Sequence, residues 1–590
     1  MTFNQYYKDE LNFLRQLGEE FAESHPDDAH FLRDKGSDPD VERLLEGVAF
    51  LTGRIRQKLD DEFPELIHGV MNLLWPHYLR PIPAVSLLEF IPIPGVVTGA
   101  KHIPARQTVV ESREIEGTRC RFQTTADVHL HPLQLVQAVL EGAGSTAAVL
   151  RLRFTLLPGV TMGQTQITRL RLHFIGEPAY SLYACLCRHL GRISARVGGQ
   201  GHPMEEVALP GCRIEPVGFA RDEALFPYPK TSFDGYRLLQ EYFAFPQKFL
   251  AIDLSDLGPL TGRGAATEFE IAIRFTTPPP GTLEVTKDHV RLFCTPIVNL
   301  FALDSHPIEV SHERSEYLLR PSGTPPEHYE LFSVDRAVGH IRGTGKELQY
   351  DSFYSFRQSD QTRASAIYYQ THLKQSTLDD RGCETTVSFV DRGENPIRGI
   401  EVPTDIVTFD LTCTNRELPS KLLVGDIRVP TDTSPGYVEF RDVVRASPHG
   451  RVPLGGDLHW RLLAHLSLNY VSITRVETLR ELLTLYNFSA RQDNQAKQTH
   501  NKLLEAIVGI EHRGKDYLFR GAPVRGTEIT LSLKESHFPG EGHIFLLGGL
   551  LSEFFALYAS LNSFTELHIT LVERGERLSW PVRIGHQVLV

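Results

Sequence analysis

The sequence predicts a multidomain α+β protein, and three observations lead to this fold class. Residues 1–80 place apolar side chains at the spacing of α-helices, whereas from residue 84 the runs are β-branched or alternate between apolar and polar, as in strands. After residue 455 helical spacing returns, and the chain ends in a strand, a helix and a further strand. With 590 residues the chain is also too long for a single core, and about four domains of roughly 150 residues are expected.

Four domains follow from these changes of pattern. An N-terminal helical segment, suited to a helix bundle, spans 1–80 and ends at the proline-rich stretch PHYLRPIP, which redirects the chain. A β-rich domain with docked helices is expected over 81–280, and a second β-rich domain over 281–455. A C-terminal α+β domain then spans 456–590.

The helix predicted in residues 37–66, SDPDVERLLEGVAFLTGRIRQKLDDEFPEL, carries an apolar stripe. Asp38 suits the N-cap and Pro39 the first helical position. Apolar residues then recur every three or four positions, which places them on one face. The stripe consists of Val41, Leu44, Leu45, Val48, Leu51 and Ile55. We expect this stripe to pack into the core of the same chain.

The same helix carries a second, smaller set of candidate contact residues. Phe50 lies on the face opposite the stripe, with Gly47 one turn before it and Gly53 one turn after it. Each glycine weakens an isolated helix by about 1 kcal/mol relative to alanine, so packing must offset this cost. Small residues beside Phe50 would let a neighbouring helix approach closely. We therefore name Gly47, Phe50, Gly53 and Arg54 as the candidate interface residues.

Several elements are predicted in the rest of the chain. Helices are expected at 178–190 and within 235–249, where Tyr236 and Leu239 would dock the helix on a sheet. After residue 455, helical patterns cover 457–473, 475–488 and 495–510. The apolar stretch 544–561 contains Glu553 and two serines, which favours a partly buried helix over a membrane span.

Composition and charge narrow the class of protein. The net charge of −12 favours solubility and argues against broad nucleic-acid binding, which needs a basic face. The N-terminus lacks the apolar region of a signal peptide. Seven scattered cysteines without zinc-finger spacing indicate reduced, mostly buried thiols, and we expect a cytoplasmic protein.

No catalytic motif is complete in the sequence. HERSE, residues 312–316, has Glu316 where a zincin motif needs its second histidine, and HLHP places His129 and His131 on one side of a strand with only Asp127 as a further donor. RGTGKE lacks the first glycine of a phosphate loop, and no G-x-S-x-G elbow occurs. We therefore predict no enzymatic activity, no metal and no cofactor; a metal-dependent hydrolase built on these histidines is the disfavoured alternative.

Long stretches of the chain resemble one family. Near the N-terminus these are YYKDELNFLRQLGEEFAESHP, the segment 37–66 and LLWPHYLRPIPA. The resemblance continues with VGFARDEALFPYP, GYRLLQEYFAFPQKF, CTPIVNLF and TCTNRELP, and then with LSLNYVSI, RGTEITLSL, LSEFFALYASLNSFTEL and WPVRIG. These stretches closely resemble the TssF family, the baseplate wedge subunits of the bacterial type VI secretion system, over essentially the whole chain.

The resemblance implies a structural role in a contractile injector. Two copies of such a protein are expected to join one TssG in a heterotrimer that binds the adaptor TssK and the sheath-initiating TssE. Six wedges would surround the VgrG spike hub and dock on the membrane complex, at the inner face of the inner membrane of a Gram-negative bacterium. A wedge protein of a phage-like contractile particle is the alternative within the same mechanical class.

The resemblance also suggests a use for the N-terminal helices. Our hypothesis is that the helices of 1–80 join a bundle with the second TssF copy and TssG. Phe50→Asp is then expected to block assembly of the complex while leaving the isolated fold largely intact.

Overall fold

The computed structural model describes residues 3–24, 39–199, 202–229, 232–310, 314–340, 347–354, 368–376, 382–390, 406–452, 474–491, 493–519 and 522–585. The chain forms two compact units. Among the described residues, the smaller unit contains 3–24 and 39–74, and the larger unit contains 75–452 and 474–585. The mixture of helices and several separate sheets confirms the predicted α+β class.

The smaller unit is an antiparallel pair of helices, α1 (Phe3–Ser24) and α2 (Pro39–Leu74). Tyr7, near the start of α1, lies against Gly53, whereas Arg15 further along α1 forms an ion pair with Glu42 near the start of α2. The predicted helical character of the N-terminal segment is therefore confirmed. The helix predicted at 457–473 lies outside the described residues.

Among the described residues between 85 and 298, the larger unit contains fifteen strands and two α-helices. In chain order these are β1 Val85–Pro92, β2 Lys101–Ile103, β3 Val109–Ile115, β4 Thr118–Thr124, β5 Val128–Leu130, β6 Leu133–Glu141, β7 Val149–Leu156, β8 Leu170–Phe174, α3 Ala179–Arg188, β9 Leu190–Gly199, β10 His202–Val207, β11 Arg213–Pro216, α4 Asp234–Ala244, β12 Ala251–Ser255, β13 Glu268–Phe275, β14 Val290–Leu292 and β15 Cys294–Val298. Helices α3 and α4 confirm the helices predicted at 178–190 and within 235–249.

Further strands and the C-terminal helices follow. The strands are β16 Phe301–Asp304, β17 Ile308–Glu309, β18 Tyr317–Leu319, β19 Glu330–His340, β20 Glu347–Ser352, β21 Tyr368–Gln375, β22 Cys383–Val390, β23 Ile406–Thr414, β24 Ile427–Pro430 and β25 Val438–Asp442. The C-terminal part contains α5 Val476–Tyr486, α6 Asn494–Ala506, β26 Ile507–Phe519, β27 Ala522–Leu533, α7 Glu541–Tyr558, β28 Phe564–Leu571, β29 Arg577–Ser579 and β30 Arg583–Ile584. Helix α6 ends at Ala506, before the end of the predicted helical pattern, because the apolar residues that follow belong to β26.

A six-stranded sheet in the order β24-β3-β4-β15-β1-β25 joins distant parts of the chain. Strand β4 alternates between buried and less buried residues, with Cys120 and Phe122 fully buried and Arg119 and Arg121 exposed. The Asp442 carboxylate at the end of β25 accepts a hydrogen bond from the Ile427 amide of β24, 2.8 Å away. This bond links the two outermost strands, so the sheet curves towards closure.

Three further sheets make up most of the remaining central β structure. Strands β10-β9-β13-β7-β6 form one sheet and β11-β12-β8-β14 another. Strands β16-β23-β19-β20-β21-β22-β18 form the largest sheet, with β17 beside β23. Its core contains Phe389, Phe409 and Leu411, each at most 2% exposed. Alternation of apolar and polar residues along these strands explains which face is buried.

The C-terminal module confirms the predicted order of strand, helix and strand. Strands β27 and β28 are parallel neighbours, and α7 connects them. The side chains of α7 are apolar on most sides of the helix, and Leu547, Leu550 and Phe554 are fully buried. The stretch 544–561 thus contains a buried helix, as predicted. Within the part of the chain that the structure describes, no helix is both long and apolar enough to cross a membrane.

A buried cluster of charges lies on and around α4. Glu241 is fully buried; one carboxylate oxygen accepts a hydrogen bond from the Leu225 amide at 2.8 Å, and the other contacts Arg237 at 3.1 Å and the Lys248 ammonium. Arg237, only 1% exposed, also forms a bidentate pair with Asp234. Burial lowers the pKa of Lys248 although Glu241 opposes the change. The charges are thus matched inside the core.

A buried histidine in β8 makes the fold sensitive to acid. Burial lowers the pKa of His173 to about 3, with a smaller contribution from Arg171. The unfolded chain takes up this proton near pH 6.5, so folding carries no penalty above that pH and a growing penalty as the pH falls towards 3. At pH 4.5 His173 is expected to lower the free energy of unfolding by about 3 kcal/mol. Urea unfolding at pH 7.5 and at pH 4.5 measures the change in the free energy of unfolding. Between these two pH values the free energy of unfolding should fall less in His173→Gln than in the unaltered protein. An equal fall in both proteins would contradict the role of His173.

Candidate protein-interaction surface

The apolar stripe of α2 is exposed, so the expectation that it packs in the core is wrong. Leu44 is 70% exposed, Leu51 62% and Ile55 60%, while Val48 is 45% exposed. Val41 and Leu45 are half-buried. The spacing of apolar residues correctly indicates a face suited to contact, but it does not say whether this chain or another molecule covers that face.

Small residues of α2, and not the most exposed residues of the stripe, lie on the side of α2 that faces α1. Ala49 is fully buried, and a side chain on Gly53 would lie 3.2 Å from the Tyr7 backbone nitrogen. The glycine thus lets the two backbones approach closely. Two ion pairs between the helices, Arg15 with Glu42 and Arg56 with Glu10, add to the contact. This close approach turns the large aliphatic side chains of α2 away from α1.

Helix α1 exposes a matching apolar stripe. Phe13 is 57% exposed, Leu17 44% and Phe21 51%. At ~100° of rotation per residue about the axis of α1, these side chains point about 120° away from the direction in which α2 lies. About the axis of α2, the stripe of α2 points about 130° away from the direction in which α1 lies. The sense of rotation is the same for both helices when each is viewed from its own N-terminus. Because the helices run antiparallel, equal senses of rotation bring the two stripes to the same side of the hairpin.

The two stripes thus lie on the same side of the hairpin, and we call them together the apolar face. It consists of Phe13, Leu17, Phe21, Leu44, Val48, Leu51 and Ile55. Groups of exposed large apolar side chains on one side of an element mark interaction sites. With each side chain about half exposed, covering the face would contribute roughly 5–10 kcal/mol at 1.5–3 kcal/mol per fully buried side chain.

The four candidate interface residues from the sequence separate into two groups. Gly53 packs against α1 of the same chain. Phe50, which is 46% exposed, lies about 100° from the direction of α1 on the side away from the apolar face. Arg54 is exposed on the same side, and Gly47 has open space within 4 Å of the position that a side chain would occupy. These three residues form a second, smaller surface, the Phe50 side.

Substitutions of the two glycines of α2 are expected to have opposite effects on the stability of the hairpin. Gly53→Val is expected to destabilise α2 by about 1–3 kcal/mol, because the added atoms meet the α1 backbone. Gly47→Ala is expected to stabilise the helix by up to about 1 kcal/mol, because it adds helix propensity without a clash. Amide hydrogen exchange over 39–56 measures both changes. Equal exchange in the two variants would contradict the assigned packing.

The histidines considered as metal ligands have other surroundings. The His129 ring stacks on His102 with their centroids 5.0 Å apart, and the pKa of His129 is lowered, chiefly by burial. His131 is buried, which lowers its pKa to about 4. Within the described ranges neither histidine belongs to a group of three potential ligands with metal-binding spacing. Their positions therefore give the hydrolase alternative no support.

The HERSE segment is described only in part. His312 lies outside the described residues. Glu316 accepts a hydrogen bond from Lys374 at 2.5 Å and another from Thr386 at 3.2 Å. Lys374 helps to lower the pKa of this carboxyl although partial burial opposes the change. Glu316 thus serves as an ion-pair partner on the largest sheet.

One group has the spacing of metal ligands, but a lysine already neutralises it. Glu528, Glu566 and His568 bring their ligand atoms within 4.8 Å of one another. The Lys515 ammonium lies 2.5 Å from Glu566 and 3.2 Å from Glu528, and Arg577 lies 3.0 Å from Glu528. A divalent ion would have to displace this lysine and then remain beside an arginine. The group is best understood as an ion-pair network across β26, β27 and β28.

The cysteines are free thiols, as predicted. Cys120, Cys185, Cys294 and Cys413 are buried, and the other three are half-buried. Burial raises the pKa of Cys120 to about 12, which keeps the thiol protonated and unreactive. The buried cysteines therefore contribute to packing.

Sequence reasoning missed the α1 half of the apolar face. Phe13, Leu17 and Phe21 lie in the predicted N-terminal helical segment, but no contact stripe was predicted for them. The spacing of four between Phe13, Leu17 and Phe21 would have indicated the stripe.

Comparison with known proteins agrees with this architecture. The family model described as type VI secretion system, TssF, matches residues 1–587. The curated type VI secretion system component TssF1 of Pseudomonas aeruginosa PAO1 is 31% identical, and the alignment covers 98% of each chain.

Two solved structures are similar to this chain along nearly its whole length. One is a chain of the type VI secretion system TssK-TssF-TssG baseplate subcomplex, with a TM-score of 0.74, 30% identity and coverage of 92% of this chain and 99% of that chain. The other belongs to a baseplate complex from the type VI secretion system, with a TM-score of 0.61, 27% identity and full coverage of both chains. The chain therefore belongs to the TssF family of type VI secretion system baseplate proteins.

Proposed function

We propose that this protein is a baseplate wedge scaffold whose helical hairpin binds helices of other subunits. The apolar face is the observation that carries this proposal, because it exposes seven large apolar side chains on a pair of helices. Apolar stripes of this kind become buried when a further helix packs on them and the side chains of the two helices interdigitate. Membership of the TssF family supports the choice of partners: a second copy of this chain and TssG, in a heterotrimer.

The Phe50 side is proposed as a second contact of the same bundle. A single aromatic side chain that is 46% exposed, beside a glycine with open space, offers less apolar area than the apolar face. We therefore place the larger share of the binding energy on the apolar face. Phe50→Asp is still expected to weaken assembly.

The remaining contacts of the scaffold are proposed from the family. The heterotrimer would bind TssK and TssE, six wedges would surround the VgrG hub, and the baseplate would dock on the membrane complex at the cytoplasmic side of the inner membrane. The role is structural and involves no catalytic turnover. Covering the apolar face in this way explains why a soluble scaffold would carry it.

Co-expression with the TssG and TssK homologues of the same organism tests the proposal. Size-exclusion chromatography with light scattering should give two copies of this chain for each TssG homologue. A well-behaved monomer that does not bind the TssG homologue would contradict it. Genes for capsid and tail-fibre proteins beside this one would favour the phage-like alternative, and stoichiometric metal in the purified protein would revive the hydrolase alternative.

A further inference from the structure

Strand β26 forms one edge of the C-terminal sheet. Its 13 residues pair with β27 on one side, and no other strand among the described residues pairs with its outer side. Glu511, His512, Arg513 and Gly514 are all exposed. Because glycine has no side chain, the exposure of Gly514 means that the backbone itself is accessible. The middle of β26 therefore offers backbone N–H and C=O groups to a further strand.

One face of this strand carries charges of both signs. Glu511 and Arg513 lie two residues apart, so their side chains point to the same face of the sheet. Neither forms an ion pair within the described part of the chain. Lys515, the next residue on this face, is instead held by Glu566 at 2.5 Å and Glu528 at 3.2 Å. The edge thus presents one negative and one positive charge that the described chain leaves unpaired.

Protection against aggregation is the simpler explanation for charges on an edge strand. Proteins commonly place charged residues there, so that copies of the chain do not pair through their edges. Repulsion between two copies needs charges of one sign at the positions that would meet. Glu511 and Arg513 have opposite signs, and β26 contains no proline that would interrupt pairing. The charge pattern therefore favours pairing over protection.

Two copies of β26 are complementary to each other in one antiparallel register. A two-fold axis through residue 512 places Glu511 of each copy opposite Arg513 of the other, on the same face of the joined sheet. Directly opposite side chains of unlike charge attract each other. An axis through residue 511, 513 or 514 would instead bring like charges opposite one another, since Glu511 or Arg513 would meet itself or Arg513 would meet Lys515. The charges therefore favour the register centred on His512.

We propose that β26 pairs with β26 of a second copy of this chain, antiparallel and centred on His512, so that the sheets of the two copies become continuous. The partner is a second copy because the edge itself carries the charges that it requires of its partner. The contact goes beyond the proposed function, since it needs neither the hairpin nor the TssG homologue. A contact through one strand is smaller than the interface of a stable dimer, so it is weak alone and strengthens where other subunits hold two copies close together.

Disulfide trapping tests this contact in the isolated full chain, with Leu44→Asp and Leu51→Asp included to remove contacts through the hairpin. Directly opposite Cα atoms in an antiparallel pair lie ~4.5–5.5 Å apart, a distance that a disulfide can span. His512→Cys is therefore expected to give a disulfide-linked dimer under mild oxidation, identified by mass spectrometry of the joined peptides. Leu518→Cys on the same strand is the matched control. Although this site is 71% exposed, it should give about tenfold less dimer, because the two copies of the site lie far apart.

Charge reversal tests the register. On the His512→Cys background, Glu511→Arg alone and Arg513→Glu alone should each lower the dimer yield about tenfold, because two attractive pairs become repulsive. A mixture of these two variants should restore the dimer, since one edge then carries two positive charges and the other two negative charges. Both changes combined in one chain should restore it as well. Circular dichroism of each variant checks that the fold is intact.

The outcomes separate this inference from the proposed function. Equal dimer yields from His512→Cys and Leu518→Cys, or charge variants that mixing does not restore, would overturn the pairing. Protection of the introduced cysteine by the TssG or TssK homologue, without a dimer in any sample, would overturn it in favour of a strand from that protein. A 2:1 heterotrimer without the trapped dimer would overturn the edge contact alone. A trapped dimer in a protein that does not bind the TssG homologue would support the edge contact and contradict the proposed function.

Discussion

Leu44→Asp combined with Leu51→Asp is expected to abolish co-purification with the TssG homologue. Both side chains are more than 60% exposed in the isolated chain, so the change costs the fold little beyond a few tenths of a kcal/mol of helix propensity. In the complex it would remove two buried leucines and place two carboxylates in an apolar contact. A loss of at least 100-fold in affinity follows, since each 1.4 kcal/mol is tenfold.

Two control variants make this result specific. Leu561→Asp with Val572→Asp introduces the same charges at comparably exposed apolar sites on the larger unit, and the heterotrimer should persist. Phe50→Asp should weaken assembly less than the double change. Circular dichroism and thermal unfolding of each isolated variant report whether the fold is intact. Survival of the heterotrimer in the double variant would show that the apolar face is not the interface.

Glu241→Ala is expected to destabilise the larger unit by about 3–5 kcal/mol. The substitution removes the shared partner of Arg237 and Lys248, both about 1% exposed, and leaves two buried cations without that counter-charge. It also removes the acceptor of the Leu225 amide. The measurement is the free energy of unfolding in urea, followed by tryptophan fluorescence and circular dichroism.

An exposed ion pair provides the comparison for Glu241. Glu141 contacts Arg151 at 2.8 Å but is 53% exposed, so Glu141→Ala should change stability by less than about 1 kcal/mol. Glu241→Gln keeps an acceptor for Leu225 and should fall between the two alanine variants. Equal effects of Glu241→Ala and Glu141→Ala would contradict the assignment of α4 as the centre of a buried charge cluster.

The sequence allowed many elements to be predicted because their spacing depends on local rules. The alternation in β4 and β7, the stripe of α2 and the strand-helix-strand order at the C-terminus were all visible in short windows. The helix at α4 was equally clear. A short stretch of sequence could not show that Arg237 and Glu241 of this helix are buried. Only the fold brings their partner Lys248 close to them. The TssF resemblance came from long stretches and needed no structure.

The candidate surface was only partly predictable for a related reason. The spacing of Leu44, Leu51 and Ile55 identified a contact face, but its occupant depends on how tightly α1 and α2 pack. Gly53 and Ala49 decide this, since they let α1 approach on another side of the helix. The sheet order β24-β3-β4-β15-β1-β25 joins strands far apart in the chain, which no local pattern specifies. The proposed domain boundaries accordingly stay predictions.

The most direct test of the apolar face is the accessibility of Leu51 in the free and assembled protein. Leu51→Cys, with Phe50→Cys for the other side, can be labelled with a maleimide and quantified by mass spectrometry of the peptide, which separates it from the native cysteines. The apolar face predicts rapid labelling of position 51 in the isolated chain and at least tenfold slower labelling in the complex with the TssG homologue. Equal labelling rates in the isolated chain and the complex would contradict it.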